Sequence, residues 1–163
     1  MPGEFTAILG ERLKKRLEGY EVYYDHGGGN SRIPVYFGDY SRMNILSFVD
    51  IVVLKDDGVK VICEIEETAS TPKKVLGDLV SILIGEKIRC DRTDYQLSSP
   101  AIIIGLRAKE KGVKSYQISG ILDRISRVFG LDLERVTLIF SEEPERLIDN
   151  VEKSILKFLE SND

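Results

Sequence analysis

Two spacings of apolar residues alternate along the chain. Near the N-terminus Phe5, Ile8, Leu9, Leu13 and Leu17 recur three or four residues apart, as on one face of a helix. This predicts an amphipathic helix over 4–18, ended by Gly19, with Glu4, Glu11 and Glu18 on another face. The period then shortens. Tyr-Glu-Val-Tyr-Tyr-Asp predicts a strand over 20–25. Residues 33–37 predict a short edge strand, because Pro34 cannot donate to a ladder. Residues 46–54 and 59–66 are apolar on both faces, as central strands are. Asp56-Asp57-Gly58 between them signals a hairpin.

Helical spacing returns over 72–88, opened by Thr71-Pro72, where proline suits the first turn. Val75, Leu76, Leu79, Val80, Ile82, Leu83 and Ile84 surround this helix and predict deep burial. Gly77, Ser81 and Gly85 form a small-residue stripe, read as tight packing on the chain's own sheet rather than a dimer face. Strands at 100–106 and 135–140 and helices at 114–129 and 144–160 follow; leaving aside the short strand at 33–37, the order is α-β-β-β-α-β-α-β-α. Hairpins followed by crossovers imply an α/β fold with a mixed central sheet flanked by helices.

Composition narrows the function classes. A chain of 163 residues suits one domain over 1–163, burying roughly 70% of its unfolded surface without disulfides. Cys63 and Cys90 lack metal-ligand spacing and read as reduced thiols of a cytoplasmic protein. A single histidine argues against structural zinc. No apolar run reaches membrane-spanning length, and Met-Pro-Gly-Glu-Phe lacks the basic and apolar regions of a signal peptide. The net charge of −4 weighs against a broadly basic nucleic-acid binder but leaves room for a local basic face. His26-Gly27-Gly28-Gly29-Asn30 could cradle a phosphate, yet Ser31-Arg32-Ile33-Pro34 follows where a phosphate loop needs Gly-Lys-Ser/Thr. It reads as a plain loop, with His26 a loop residue.

The predicted hairpin holds the chemistry. Glu64 and Glu66 point to one face of their strand, and whether Asp50 joins them depends on the turn. A three-residue loop, Asp56-Asp57-Gly58, pairs Lys55 with Val59 and brings Asp50 opposite Glu64. A two-residue Asp57-Gly58 loop sets Asp50 opposite Ile65 and scatters the carboxylates. The sequence leaves both registers open; chemistry favours the first. Burying unpaired carboxylates costs several kcal/mol, on the order of the penalty for any isolated buried ion, and a divalent cation relieves it. The plain alternative is acidic residues solvated at a strand end.

Val49-Asp50-Ile51-Val52-Val53, the hairpin, Cys63-Glu64-Ile65-Glu66 and the helix that follows resemble the PD-(D/E)xK nuclease superfamily. Its restriction-endonuclease-like core, α-β-β-β-α-β, is similar in order to residues 4–106, leaving an additional α-β-α at the C-terminus. The resemblance implies a metal-dependent nuclease that hydrolyses phosphodiester bonds, expected to be a DNA endonuclease. Asp50 and Glu64 would hold one or two Mg²⁺ or Mn²⁺ ions. Glu66 stands where the family usually has lysine, a departure similar to the Glu-x-Glu of some restriction endonucleases, and Val49 replaces a frequent proline. Glu66 could orient or deprotonate the attacking water, or join the metal shell.

Lys73 and Lys74 offer a substitute ammonium at the start of the next helix; Lys74 reads equally well as a surface partner of Asp78 at i, i+4. Glu11 is the candidate for a first-helix glutamate near the metal, a solvated surface residue being the simpler reading. Arg32, Arg42 and Lys73 are candidates for DNA-backbone contacts, with Tyr40 and Asn44 lining the same cleft. Lys87, Arg89 and Arg92 make a second basic cluster. Cleavage of two strands calls for two sites, which a homodimer could supply, although no residue of the sequence marks one. The alternative is a catalytically inactive protein of the same fold that binds nucleic acid or a protein partner. A third reading is a different α/β enzyme that cleaves other phosphoesters.

Overall fold

The computed structural model describes residues 3–27, 31–68 and 71–163. Along these run α1 (Glu4–Arg16), β1 (Glu21–Tyr24), β2 (Ile33–Tyr36), β3 (Ile45–Val49), β4 (Ile51–Lys55) and β5 (Gly58–Glu66). Then come α2 (Pro72–Ile84), β6 (Lys87–Cys90), β7 (Thr93–Gln96), β8 (Ala101–Leu106), α3 (Val113–Phe129), β9 (Val136–Phe140) and α4 (Pro144–Ser161). The fold is mixed α/β. Its main sheet has five strands in the order β1-β4-β5-β8-β9. The first three are antiparallel, and β5, β8 and β9 are parallel. A second, antiparallel sheet runs β3-β2-β6-β7.

Two apolar layers hold the main sheet, and strand alternation divides them. Val52, Ile62, Ile102 and Ile104 face Val75, Leu79 and Ile82 of α2 and Ile118 and Leu122 of α3. Ile51, Val53, Val61, Cys63 and Ile103 face Leu9 and Leu13 of α1 and Leu147, Val151 and Ile155 of α4. Parallel strands covered on both sides read as continuous apolar runs, and all six residues of β8 are buried. Gly3 gives α1 no capping side chain. Glu67 replaces it, accepting from Phe5 N–H at 2.8 Å. Glu152 of α4, 4% exposed, faces Arg12 at 3.4 Å and Arg16 at 3.2 Å, tying α4 to α1.

The expected strand over 46–54 is two strands in different sheets. The chain bends at Asp50; β3 leaves for the second sheet and β4 continues in the first. The expected turns are both corrected. Lys55 pairs with Gly58, so the loop is Asp56-Asp57, both left-handed at φ 51 and φ 59. Leu54 then pairs with Val59, but Val53 pairs with Val61, so Lys60 is bulged out. The bulge supplies the residue the shorter loop lacks, and Ile51 pairs with Cys63. Asp50 therefore stands level with Glu64, as the three-residue loop would have placed it.

Pro34 lies in β2, which is flanked by strands on both sides rather than at an edge. Its missing donor costs little because the β6 ladder begins at Val35. The helix expected over 72–88 ends at Ile84, and 87–96 fold into the β6–β7 hairpin around Asp91, at φ 57. Two buried residues per strand there, or fewer, give too short an alternation to announce the pair. Burial of α2 is also narrower than expected: Val75, Leu79 and Ile82 are buried, while Val80 and Ile84 are exposed. Of the small-residue stripe, Gly85 is a packing requirement, since a Cβ there would sit 2.2 Å from Val35 Cγ1; Gly77 faces open space. Gly28, Gly29 and Asn30 of the glycine loop lie outside the described residues. Among the described residues no helix is long and apolar enough to cross a membrane.

Candidate active site

β5 ends at Glu66, and its parallel partner β8 ends level with it at Leu106. Open α/β sheets bind ligands beyond the carboxyl ends of parallel strands, and three acidic side chains gather here. Glu64 and Glu66 are each 8% exposed and take the α2 face, continuing the row of Ile62. Asp50, at the bend between sheets, joins them across the β4–β5 ladder. Its Oδ2 accepts from Ile65 N–H at 2.7 Å, and its carbonyl accepts from Asp25 N–H at 2.8 Å. The bend thus fixes the side chain of Asp50 to one sheet strand and its backbone to another.

The electrostatics of the pair are strained. Burial, then the Asp50 charge, push Glu64 well above the ordinary carboxylate range. Burial also raises Asp50, against the Ile65 N–H and Glu64, which favour its charged form. Each carboxyl group thus acts on the protonation of the other. Glu64 Oε1 is nevertheless buried without a hydrogen-bond partner. A proton shared by the pair would relieve the repulsion; a cation held by both carboxylates would relieve it and also match that oxygen.

Glu66 is held differently. Lys74 Nζ donates to both of its oxygens, at 2.7 and 2.9 Å. Hydrogen bonding to Glu66 raises the Lys74 pKa. Of the two readings of Lys74, the structure brings it back to the acidic strand; Asp78 contributes at longer range. Thr71 caps α2, its Oγ accepting from Lys74 N–H at 3.4 Å, which sets the first turn against the end of β5.

Among the described residues no set of three or more His, Cys, Asp and Glu side chains is arranged to hold an ion by itself. With Glu66 turned to Lys74, the residues that could hold a cation are Asp50 and Glu64. They fit a hard divalent ion: the donors are oxygens, one of them orphaned, and Mg²⁺ is commonly bound by one or two carboxylates plus water and phosphate.

The remaining candidates scatter. Glu11 accepts from Tyr24 O–H, so its carboxylate is engaged with β1. Lys73 is exposed on α2, and Arg42 is exposed on the turn before β3. Arg32 lies over the Phe48 ring, 4.8 Å from its centroid. Asn44 Nδ2 donates to Asp39 O at 2.8 Å, and Tyr40 packs edge-on to Tyr36. In the second basic cluster Arg89 is committed to Asp94 at 2.6 and 2.7 Å and covers Tyr40, and Lys87 donates to Gly38 O. Arg92 is exposed. His26 is exposed on its loop.

Two acidic neighbours were not among the expected site residues. Asp78, half-buried on α2, raises Glu64 by its charge and is itself raised by burial. Its position one turn after Lys74 was the available signal. Asp25, after β1, adds its charge to the Asp50 environment. Its Oδ1 accepts from Ser31 O–H at 2.7 Å. Only the β1–β4 pairing brings it there, and nothing local in the sequence marks that pairing. A cavity of about 450 Å³ between Tyr20, Lys55, Phe158 and Asp163 opens at the hairpin-turn end of the sheet, away from these carboxylates. Comparison with known families, curated proteins and solved structures finds no match to this chain.

Proposed function

We propose that the protein is a divalent-cation-dependent nuclease of the PD-(D/E)xK kind, hydrolysing phosphodiester bonds in DNA. The observation that carries this reading is the orphaned, buried Glu64 Oε1 beside Asp50 at the carboxyl end of β5. Element order adds support. Leaving out the second sheet, the chain runs α1-β1-β4-β5-α2-β8, with an antiparallel meander followed by a parallel crossover strand. That arrangement resembles the restriction-endonuclease-like core, and α3-β9-α4 extends it.

Asp50 and Glu64 would hold Mg²⁺ or Mn²⁺, which when bound supplies a polarised phosphoryl oxygen and an acidified water. The protein's own groups do the rest. The Ile65 N–H keeps Asp50 aimed into the site. Lys74 takes the place of the family's strand lysine: its ammonium, held at Glu66, is positioned to accept negative charge developing on phosphate oxygens. Glu66, partnered with Lys74, sets the position of that ammonium and can accept a proton from the attacking water.

The same salt bridge favours the second reading. In a binding protein of this fold, Lys74 would neutralise Glu66 and leave no group for phosphate. Cleavage separates the two. Supercoiled, linear, forked and single-stranded DNA are incubated with Mg²⁺ or Mn²⁺, alongside Asp50→Asn and Lys74→Met variants. The nuclease reading predicts nicking or cutting of at least one substrate, abolished by Asp50→Asn and lowered about 100-fold or more by Lys74→Met, on the order of losing one electrostatic stabiliser. DNA binding without turnover in either ion would contradict it and support the binding reading.

A further inference from the structure

Next in sequence to Asp50, β3 of the second sheet carries an aromatic ring, and the residue before β2 is an arginine; the hydrolytic machinery uses neither. The β2–β3 ladder pairs Ile33 with Val49 and Pro34 with Phe48. Extended by one residue, that register sets Arg32 level with Asp50. Arg32 and Phe48 are then diagonal neighbours on one face of the ladder, and the guanidinium lies 4.8 Å from the ring centroid. Phe48 is 41% exposed, the most exposed residue of β3, and stands two residues before Asp50. Strand alternation buries its neighbour Val49 and turns the Phe48 ring to the open face of β3.

Arg32 also lines a cavity of about 220 Å³ together with Lys14, Tyr24, His26, Ser31 and Asp91. Lys14 lies over the Tyr24 ring at 4.9 Å, and His26 meets that ring edge-on at 5.9 Å. Cationic groups interleaved with aromatic faces suit a polymer with alternating phosphates and flat bases. Stacking needs a base face that is free, and the bases of an intact duplex have none to offer except at its ends. Grooves that bind single strands combine these two elements for this reason.

We infer that Phe48 and Arg32 form a stacking platform for an unpaired nucleotide next to the Asp50–Glu64 site, so that the substrate carries a single-stranded segment at the point of cleavage. This rests on the nuclease reading for the role of the carboxylates, and it deepens that reading by naming the form of the nucleic acid. Phe48 would position the strand by stacking; Arg32 would add a phosphate contact while steadying the ring.

Fluorescence anisotropy of the full chain tests it without any cleavage. The probes are one labelled oligonucleotide as single strand, as a forked duplex and as a blunt duplex, in EDTA and across a salt series. The single strand and the fork are expected to bind more tightly than the blunt duplex. Phe48→Leu, which keeps an apolar side chain but no π face, should weaken single-strand binding about 10-fold. Phe48→Tyr should restore it, and Arg32→Ala should lower the salt slope by about one charge. Thermal unfolding of each variant reports on folding. Equal affinity for all three probes, or a folded Phe48→Leu protein that binds the single strand like the wild type, would overturn the inference. Cation titration and DNA cleavage by the wild type judge the nuclease reading separately. Duplex cutting with no Phe48 dependence leaves that reading standing and removes this one. Single-strand binding through Phe48 with neither metal binding nor cleavage supports the platform and removes the nuclease.

Discussion

Glu64 concentrates the tension in this site. A carboxylate buried beside another, with one oxygen lacking any donor, is costly to ionise. Its folded pKa and that of Asp50 are both raised, so the folded protein retains protons to higher pH than the unfolded chain does. Stability of the metal-free protein then declines with rising pH, because the folded state binds more protons than the unfolded state. The contribution is fully present below the ordinary glutamate value of 4.5 and is lost as pH rises through the raised folded values. Denaturant unfolding in EDTA at stepped pH should reveal this decline. Glu64→Gln should flatten it and raise metal-free stability at pH 8 by about 1–3 kcal/mol, the order of an unmatched buried polar group. A Glu64→Gln protein less stable than the wild type at pH 8 in EDTA would count against the account. Lys74 and Glu66 are the opposite case, a charged pair that satisfies itself.

The β4–β5 hairpin shows how an element can deliver a site by a route its sequence conceals. Apolar runs on both sides of Asp56-Asp57-Gly58 announced the hairpin, and the grouping of Asp50 with Glu64 followed once the register was right. What the sequence could not reveal was that register arises from two compensating irregularities, a two-residue turn and a bulge at Lys60. Local turn propensity does not encode a bulge, because it depends on how the rest of the strand packs. The bend at Asp50 was hidden for a related reason: nine apolar-rich residues read as one strand, and only the second sheet, itself built partly from the weakly patterned β6–β7 hairpin, draws β3 away. Helix spans were legible to within a few residues except at the end of α2, where Gly85 meets Val35. The turn also carries a prediction. Asp57 is left-handed at φ 59, so Asp57→Gly should remove strain and stabilise the protein by about 1 kcal/mol. Chemical denaturation would report it, with cation binding unchanged.

At the scale of the molecule, two sheets and two apolar layers converge on one end of β5. The main sheet supplies Glu64 and Glu66, the bend between sheets supplies Asp50, α2 supplies Lys74 and Asp78, β3 of the second sheet supplies Phe48, and the residue before β2 supplies Arg32. The acidic net charge of −4 is compatible with the proposed polyanionic substrate, which a bound cation and these local basic groups would meet. Everything proposed for function depends on Asp50 and Glu64 acting together as cation ligands. Isothermal titration of the wild type, Asp50→Asn and Glu64→Gln with Mn²⁺ and Mg²⁺ tests that directly. The account predicts saturable binding of one or two ions by the wild type and its loss in both folded variants. A wild type that takes up neither ion, or variants that bind as the wild type does, would contradict it.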